Sequence, residues 1–279
     1  MLFNDLAIAM QVRYPDPSWP IACQTISTAQ ANGWLWDIGL SARRGVGHVY
    51  SSAHTSDDAI EEALGDYLAA TGGRDCEIIS QQKLAFEPGY RRQAWHRNCV
   101  AVGLSSGFVE PLEASSLVLV ELAAGMLSDQ MPATRAAMDI VAARFNDTFA
   151  YRWERVVDFL KLHYVLSRRD DSDYWRDHRR AETVPERLNQ LLGHWRHQAP
   201  SRYDLPRIEE VFPSASYQYI LYGMGFRPDQ RATTRRAANA QRADDCFRET
   251  ASLARRMLAA LPGHRELIEH IHTRGMSPI

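Results

Sequence analysis

The run from Asn98 to Ser116, NCVAVGLSSGFVEPLEASS, constrains this 279-residue chain more than any other stretch. Cys99, Val100, Ala101 and Val102 form an apolar run too short for a helix, which predicts a buried strand. Gly103 and Gly107 bracket a Ser-Ser turn where backbone can come close to a ligand. Pro111 interrupts regular structure between two acids, Glu110 and Glu113. From Ser115 the run SSLVLVELAAGML is apolar on nearly every face and predicts a buried helix. The unpaired amides of its first turn would lie around Glu113 to Ser116, and a helix start of this kind attracts anions. A strand-turn-helix corner with Ser115 or Ser116 as N-cap accounts for the same residues without any ligand.

A second stretch argues for a function at this corner. In Gly33-Trp34-Leu35-Trp36-Asp37-Ile38, the alternation puts Trp34, Trp36 and Ile38 on one face of a strand. Taken together, the W-x-W-x-I run and the G-x-x-x-G-F-x-E-P-L-E run resemble the flavin-dependent tryptophan halogenase family. With the helical segments downstream, the resemblance covers most of the chain. The family's W-x-W-x-I ends in proline, where this chain has Gly39.

The resemblance implies an α+β fold: a partial flavin-monooxygenase-like domain with antiparallel strands, followed by a mainly helical C-terminal region. It divides the chain into a flavin and substrate sheet region, residues 1–112, and a helical substrate-side region, residues 113–279. It implies electrophilic halogenation of tryptophan or another indole or aromatic substrate by hypohalous acid. That acid is made from chloride or bromide with FAD, which a separate flavin reductase supplies in reduced form. By the same resemblance Glu113 is the catalytic carboxylate, and Ser115 and Ser116 offer amides to the halide, where the family often has Thr-Gly or Thr-Ser. Trp34, Trp36, Gly103 and Gly107 are the expected cofactor-side residues, and His163, Tyr217 and Tyr219 the expected substrate-side residues.

Two family features are missing from this sequence. No G-x-G-x-x-G follows a strand; Gly45-Val46-Gly47 lacks the third glycine and runs on into a strand. The family's essential lysine belongs to an N-terminal segment, and neither Lys83 nor Lys161 sits in a comparable context. The expectation is therefore a C-terminal portion of a halogenase, inactive as this chain alone and active beside a complementary N-terminal chain; self-association as a homodimer is a further expectation. A related flavin monooxygenase that hydroxylates, and a non-catalytic interaction module, remain as alternatives.

Composition narrows the partners. A net charge of −2 argues against a nucleic-acid or polybasic membrane surface. No apolar run reaches the length of a membrane span, and Asp5 with no basic leader argues against a signal peptide, so a cytoplasmic location is expected. The four cysteines are far apart with no C-x-x-C, and His270 and His272 are two residues apart on a predicted helix, so no metal site is expected.

The remaining segments read in order. QTISTA, GWLWDI and GVGHVYSS are strand-like, after a turn at Tyr14 to Pro17. Ser56 caps a helix carrying Ile60, Leu64 and Leu68, which Gly72-Gly73 ends, and Cys76 to Pro88 reads as edge strand and loop. Arg91, Arg92, Trp95, His96 and Arg97 are either a phosphate or flavin contact or a solvated turn anchored by Trp95. After a break at Met131-Pro132, Phe149, Trp153, Val156, Val157, Leu160 and Tyr164 mark a long amphipathic helix. His163 beside that face reads equally as a hydrogen-bonded core residue. Ser167 to Asp173 is a charged turn, and Thr183-Val184-Pro185-Glu186 fits a capping box before a helix through Leu188, Leu191, Leu192 and Trp195. Ser214 is the expected cap of a helix with Tyr217, Tyr219, Ile220 and Tyr222, closed by Gly223 and Gly225, whose tyrosines read either as an indole wall or as an aromatic core stripe. Arg231 to Arg242 is an arginine-rich linker, and Cys246 to Leu261 an amphipathic helix.

Overall fold

The computed structural model describes residues 1–72, 76–207, 209–229 and 239–276. Two compact units emerge. One contains Met1–Leu6, Ser51–His54 and Ala85–Asp229; the other contains Ala7–Tyr50, Thr55–Leu84 and Gln230–Ile279. Gly73, and residues 231–238 of the expected linker, lie outside the described residues.

Strands β1 (Leu6–Arg13), β2 (Ile26–Gln30), β3 (Gly33–Gly39), β4 (Arg43–Tyr50) and β5 (Ile78–Ala85) form one sheet in the order β2-β3-β4-β1-β5. The pairs β2–β3 and β3–β4 are antiparallel, with Trp34 opposite Val49 and Trp36 opposite Gly47. The three strands read from the sequence are present. The first eight-residue strand, β1, is an addition: its Ala7, Ile8, Met10 and Val12 are buried between neighbours. Strand β5 is one edge of the sheet, and all eight of its residues are exposed.

Helix α1 (Asp57–Gly72) starts as expected, with the Ala59 amide 3.4 Å from Ser56 Oγ. It buries Ile60, Leu64 and Leu68, and is tied to the strands by polar contacts. Tyr67 donates to Asp37 Oδ2 at 3.0 Å and Tyr50 donates to Asp57 at 2.6 Å. Arg44 is buried, pairs with both oxygens of Asp37 and reaches Thr71 Oγ1 at 2.8 Å. Burial with a full set of partners is what makes this ion pair tolerable inside a protein. His48 is also buried, with neither ring nitrogen hydrogen-bonded among the described residues, and desolvation holds its pKa down to about 4.

Gly47 has a packing reason. A Cβ placed there would come within 2.1 Å of the Trp36 ring, so the indole lies across a bare stretch of β4. Gly47→Val is expected to displace Trp36 and to destabilise the chain by about 1–3 kcal/mol, read as a lower urea midpoint together with a shift in tryptophan emission.

In the helical unit, the short strands β6 (Gly89–Tyr90), β7 (Trp95–His96), β8 (Cys99–Val100) and β9 (Gly107–Phe108) form two small hairpin ladders, β6 with β9 and β7 with β8. The buried strand expected over Cys99–Val102 is corrected here. Only Cys99 and Val100 pair, and Cys99 is exposed because it lies opposite exposed His96, while Val100 shares the face of buried Trp95. Trp95 is thus an anchor: its indole donates to the Arg97 carbonyl at 3.0 Å, and Asn146 brackets its backbone at 2.7 and 2.9 Å.

Helix α2 (Ser116–Gln130) departs from the expected all-round burial. Only Leu119 and Ala123 are buried, one stripe at i and i+4, and Leu117 is 82% exposed. The stripe that meets the Gly103–Ser105 turn finds protein to pack on, and the other faces do not. Helix α3 (Arg135–Leu166) is the spine. Thr134 caps it, accepting from the Ala137 amide, and its apolar face buries Phe145, Phe149, Trp153, Val156, Phe159, Leu160 and Tyr164.

Helices α4 (Asp173–His178), α5 (Glu186–Trp195) and α6 (Ser214–Gly223) complete this unit, while α7 (Ala240–Ala260) and α8 (His264–Arg274) belong to the sheet unit. The capping box at Thr183 does not form. Thr183 Oγ1 donates instead to the Arg180 carbonyl at 2.8 Å, with the Asp177 and His178 carbonyls at 3.1 and 3.3 Å, and Pro185, which offers no side-chain acceptor, holds the N-cap position. Ser214 likewise makes no cap; Pro213 precedes α6. The last four residues assigned to the linker, from Asn239, are the start of α7, since Ala240 to Arg242 are already helical. Among the described residues, no helix is long and apolar enough to cross a membrane.

Candidate active site

The Glu110–Ser116 corner takes its shape from its backbone. Pro111 lies at φ −79°, and Glu113 and Ala114 are both left-handed, at φ 64° and 41°. Two consecutive non-glycine residues in that region are strained, at about 1–3 kcal/mol each, and such strain persists only where surroundings enforce it. Ala114 donates back to the Pro111 carbonyl at 3.1 Å, and Leu119 makes an α-helical bond to Ser115 at 3.1 Å. Amides from Ser116 to Val118 therefore precede the helical ladder. Ser115 is buried and Ser116 exposed, and neither serine makes a side-chain cap bond.

What enforces the corner is a buried polar network. Glu110 is 3% exposed. Its Oε2 accepts from the Tyr164 hydroxyl at 2.7 Å and from Asn4 Nδ2. Asn4 also donates to Tyr164 Oη at 3.1 Å and accepts from Tyr174 at 3.0 Å. Burial, then the Glu110 charge, push both tyrosine hydroxyls well above their ordinary range, so both remain donors. The Tyr164 ring stacks on His178 at 4.0 Å. Lys161, fully buried, is 2.9 Å from His178 Nδ1 and donates to the Met1 carbonyl at 2.9 Å. Desolvation lowers the Lys161 pKa to about 7, against a smaller opposing pull from Glu110.

Tyr164 adjoins His163 on α3, so the network fixes the helix that carries the next contact. His163 Nε2 lies 3.1 Å from Glu113 Oε1, and its Nδ1 lies 2.9 Å from the Phe159 carbonyl. Glu113 and His163 are thus brought together. Phe159 supports them from below, edge-on to His163 at 5.3 Å and stacked on Phe212 at 4.0 Å.

The other expected residues are placed differently. Tyr217 is fully buried against Phe159 and Trp195, with centroids at 4.9 and 5.4 Å, the position of a core aromatic. Tyr219, on the same helix, is 80% exposed. Gly103 uses its left-handed φ of 63° beside Val120. The space beside Gly107 is filled by Tyr90, 2.6 Å from where a Cβ would stand, so that glycine serves packing within the chain. In the sheet unit, Trp34 and Trp36 sit with centroids 6.2 Å apart, Trp34 buried and Trp36 half-buried. Gly39, in the proline position of the family's run, lies beneath the strap that precedes β2. A Cβ there would meet Ile21 Cγ2 at 2.8 Å. That strap is held by Arg265, whose Nε donates to the Trp19 carbonyl at 2.5 Å.

Sequence reasoning missed Glu110, Asn4 and Tyr174 as partners. Only the acid-Pro-Leu-acid motif flagged Glu110, and nothing local marks Asn4 or Tyr174.

Comparison with known proteins places this arrangement. The tryptophan halogenase family model matches residues 1–240. The tryptophan 6-halogenase SttH of Streptomyces toxytricini is 31% identical over 266 residues, covering 94% of this chain and 49% of the relative. The crystal structure of a tryptophan halogenase from Shewanella frigidimarina superposes with a TM-score of 0.88 at 43% identity, covering 99% of this chain and 52% of that one. BrvH, a flavin-dependent halogenase from Brevundimonas, gives a TM-score of 0.79 at 36% identity, covering 97% and 53%. The chain spans about half the length of the curated relatives it matches. With its motifs, its fold and these matches in agreement, the chain belongs to the tryptophan halogenase family.

Proposed function

We propose that this chain supplies the halide corner and the catalytic carboxylate of a flavin-dependent halogenase acting on tryptophan or another indole. The observation that carries the reading is the strained Glu113–Ala114 turn, enforced by the Glu110 network and opening onto the first amides of α2. The first-turn amides around Ser115 and Ser116 would hold chloride or bromide, since unpaired N–H groups and the helix dipole both favour an anion. Glu113 would orient the oxidant and take up the proton lost from the ring. Reduced FAD with oxygen, when bound, supplies the oxidising equivalents that turn halide into hypohalous acid.

The fit to FAD is partial. In the sheet unit Trp36 is half-buried and keeps part of its indole free to face a flavin, whereas Trp34 is buried; in the helical unit the space at Gly107 is already filled by Tyr90. The grip on the dinucleotide, and a reactive lysine, would come from a complementary chain, with a flavin reductase delivering the reduced cofactor; of the two tyrosines, exposed Tyr219 remains a substrate-side candidate while Tyr217 is taken up by the core, and homodimer formation is a further proposal. The test is to incubate the chain with reduced FAD, bromide and tryptophan or indole, with and without a polypeptide corresponding to the relatives' other half. Bromide-dependent formation of a product with the bromine isotope pattern supports the reading. Hydroxylated product that ignores bromide, or no product in either mixture, overturns it.

A further inference from the structure

The contact between Glu113 and His163 carries a proton count. The Phe159 carbonyl can only accept a hydrogen bond, so His163 Nδ1, 2.9 Å away, is a donor. That leaves Nε2 to face Glu113 Oε1 at 3.1 Å. An ionised carboxylate is also acceptor-only. A hydrogen bond to the ionised Glu113, the form able to take up the ring proton, needs the second proton of the contact on Nε2. The two side chains are 17% and 35% exposed, so the pair sits at a surface and can exchange with water. Among the described residues, Glu113 Oε2 accepts no hydrogen bond. One carboxylate oxygen is therefore tied and the other is open.

We propose that His163 is the positioning residue for Glu113, fixing Oε1 so that Oε2 is presented to the ring proton, and is not itself a substrate contact. The proposal rests on the halogenation reading above. The proton balance is simple. The ring C–H bond breaks, its electron pair returns to the ring, and the proton passes to Glu113 Oε2 and then to water at the exposed edge. His163 has the rigidity this requires: it is set on α3, its ring edge lies on Phe159, and the neighbouring Tyr164 is locked by Glu110.

Two measurements test it. The first uses the chain alone, labelled with 15N-histidine. Glu113→Gln keeps a hydrogen-bonding group of the same size but removes the carboxylate, and the His163 Nε2 resonance is expected to move toward the unprotonated position while Nδ1 stays protonated. An Nε2 resonance unchanged between the two proteins overturns the proposal whether or not the chain turns over. The second uses the halogenating mixture. His163→Ala is expected to lower kcat by about a hundredfold, the scale of a misplaced reacting group, with KM for the indole unchanged. His163→Gln, whose amide can still donate to Oε1, is expected to recover much of that loss. A raised KM at unchanged kcat would make His163 a substrate contact and overturn the proposal. A wild-type mixture that forms no product tells against the halogenation reading, and the NMR result still decides the positioning role.

Discussion

Folding stability is expected to fall by roughly 4 kcal/mol as pH drops from about 10 to 7, and Lys161→Met is expected to remove that dependence. The Lys161 ammonium is buried, and desolvation takes its pKa from 10.5 down to about 7. The sign follows from proton binding. In the unfolded chain the amine binds its proton as pH falls through 10.5; in the folded chain it stays neutral until about 7. The unfolded state therefore binds more protons across that window, and stability is lost on going down through it. Each tenfold step in proton concentration is worth about 1.4 kcal/mol, which sets the total. Below pH 7 this contribution is flat. Tyr164 and Tyr174 act oppositely above pH 10, since both stay protonated in the fold, so the comparison is between the parent and the methionine variant at each pH. Urea unfolding at half-unit intervals measures it. Parallel curves for the two proteins would show that Lys161 keeps its charge in the fold.

Glu110→Ala is expected to cost about 3–5 kcal/mol, more than its exposed neighbours in the same motif. The substitution strips the acceptor from the Tyr164 hydroxyl and from Asn4 Nδ2 and leaves a void under the corner. Asn4 retains Tyr164 Oη as a partner, which limits the loss. Glu110→Gln, which keeps one oxygen, is expected to cost less. Tyr164→Phe deletes one end of the same bond, so the double variant Glu110→Ala/Tyr164→Phe is expected to be less destabilised than the sum of its parts. Additive losses in urea titrations would mean that the two groups do not share one network.

The sequence made the sheet and the long helix legible for the same reason. Alternation in GWLWDI and the recurrence of Phe149, Trp153, Val156, Leu160 and Tyr164 are periodic signals; burial follows the period on the helix, whereas in β3 Leu35 and Asp37 are buried and Ile38 is exposed. Strand β1 is not legible because Leu6 to Met10 is a short, uniformly apolar run in which periodicity does not separate strand from helix. The capping box failed because a threonine hydroxyl can donate as well as accept, and nearby carbonyls claimed it. At the site, the Glu113 motif and the serine pair were readable as a local pattern. The partner of Glu113 was not: His163 stands fifty residues away in sequence, and only the packing of α3 beside the corner joins them. From the sequence His163 reads as a substrate contact or a core residue, and neither reading supplies its carboxylate. The aromatic stripe of α6 carried two readings, and burial now separates its members, with Tyr217 inside the core and Tyr219 in solvent.

The left-handed pair at Glu113 and Ala114 also governs which sequences this corner can tolerate. A β-branched residue at 114 would crowd its own backbone at that φ, so a saturation library at this position should return alanine, glycine, asparagine and aspartate and reject valine, isoleucine and threonine. Glycine would be accepted at a cost in aim, because it relaxes the turn and lets the carboxylate one residue earlier sample other directions. A family scaffold diversified for new substrates is therefore better varied at helix faces such as that of Tyr219 than within this four-residue bend.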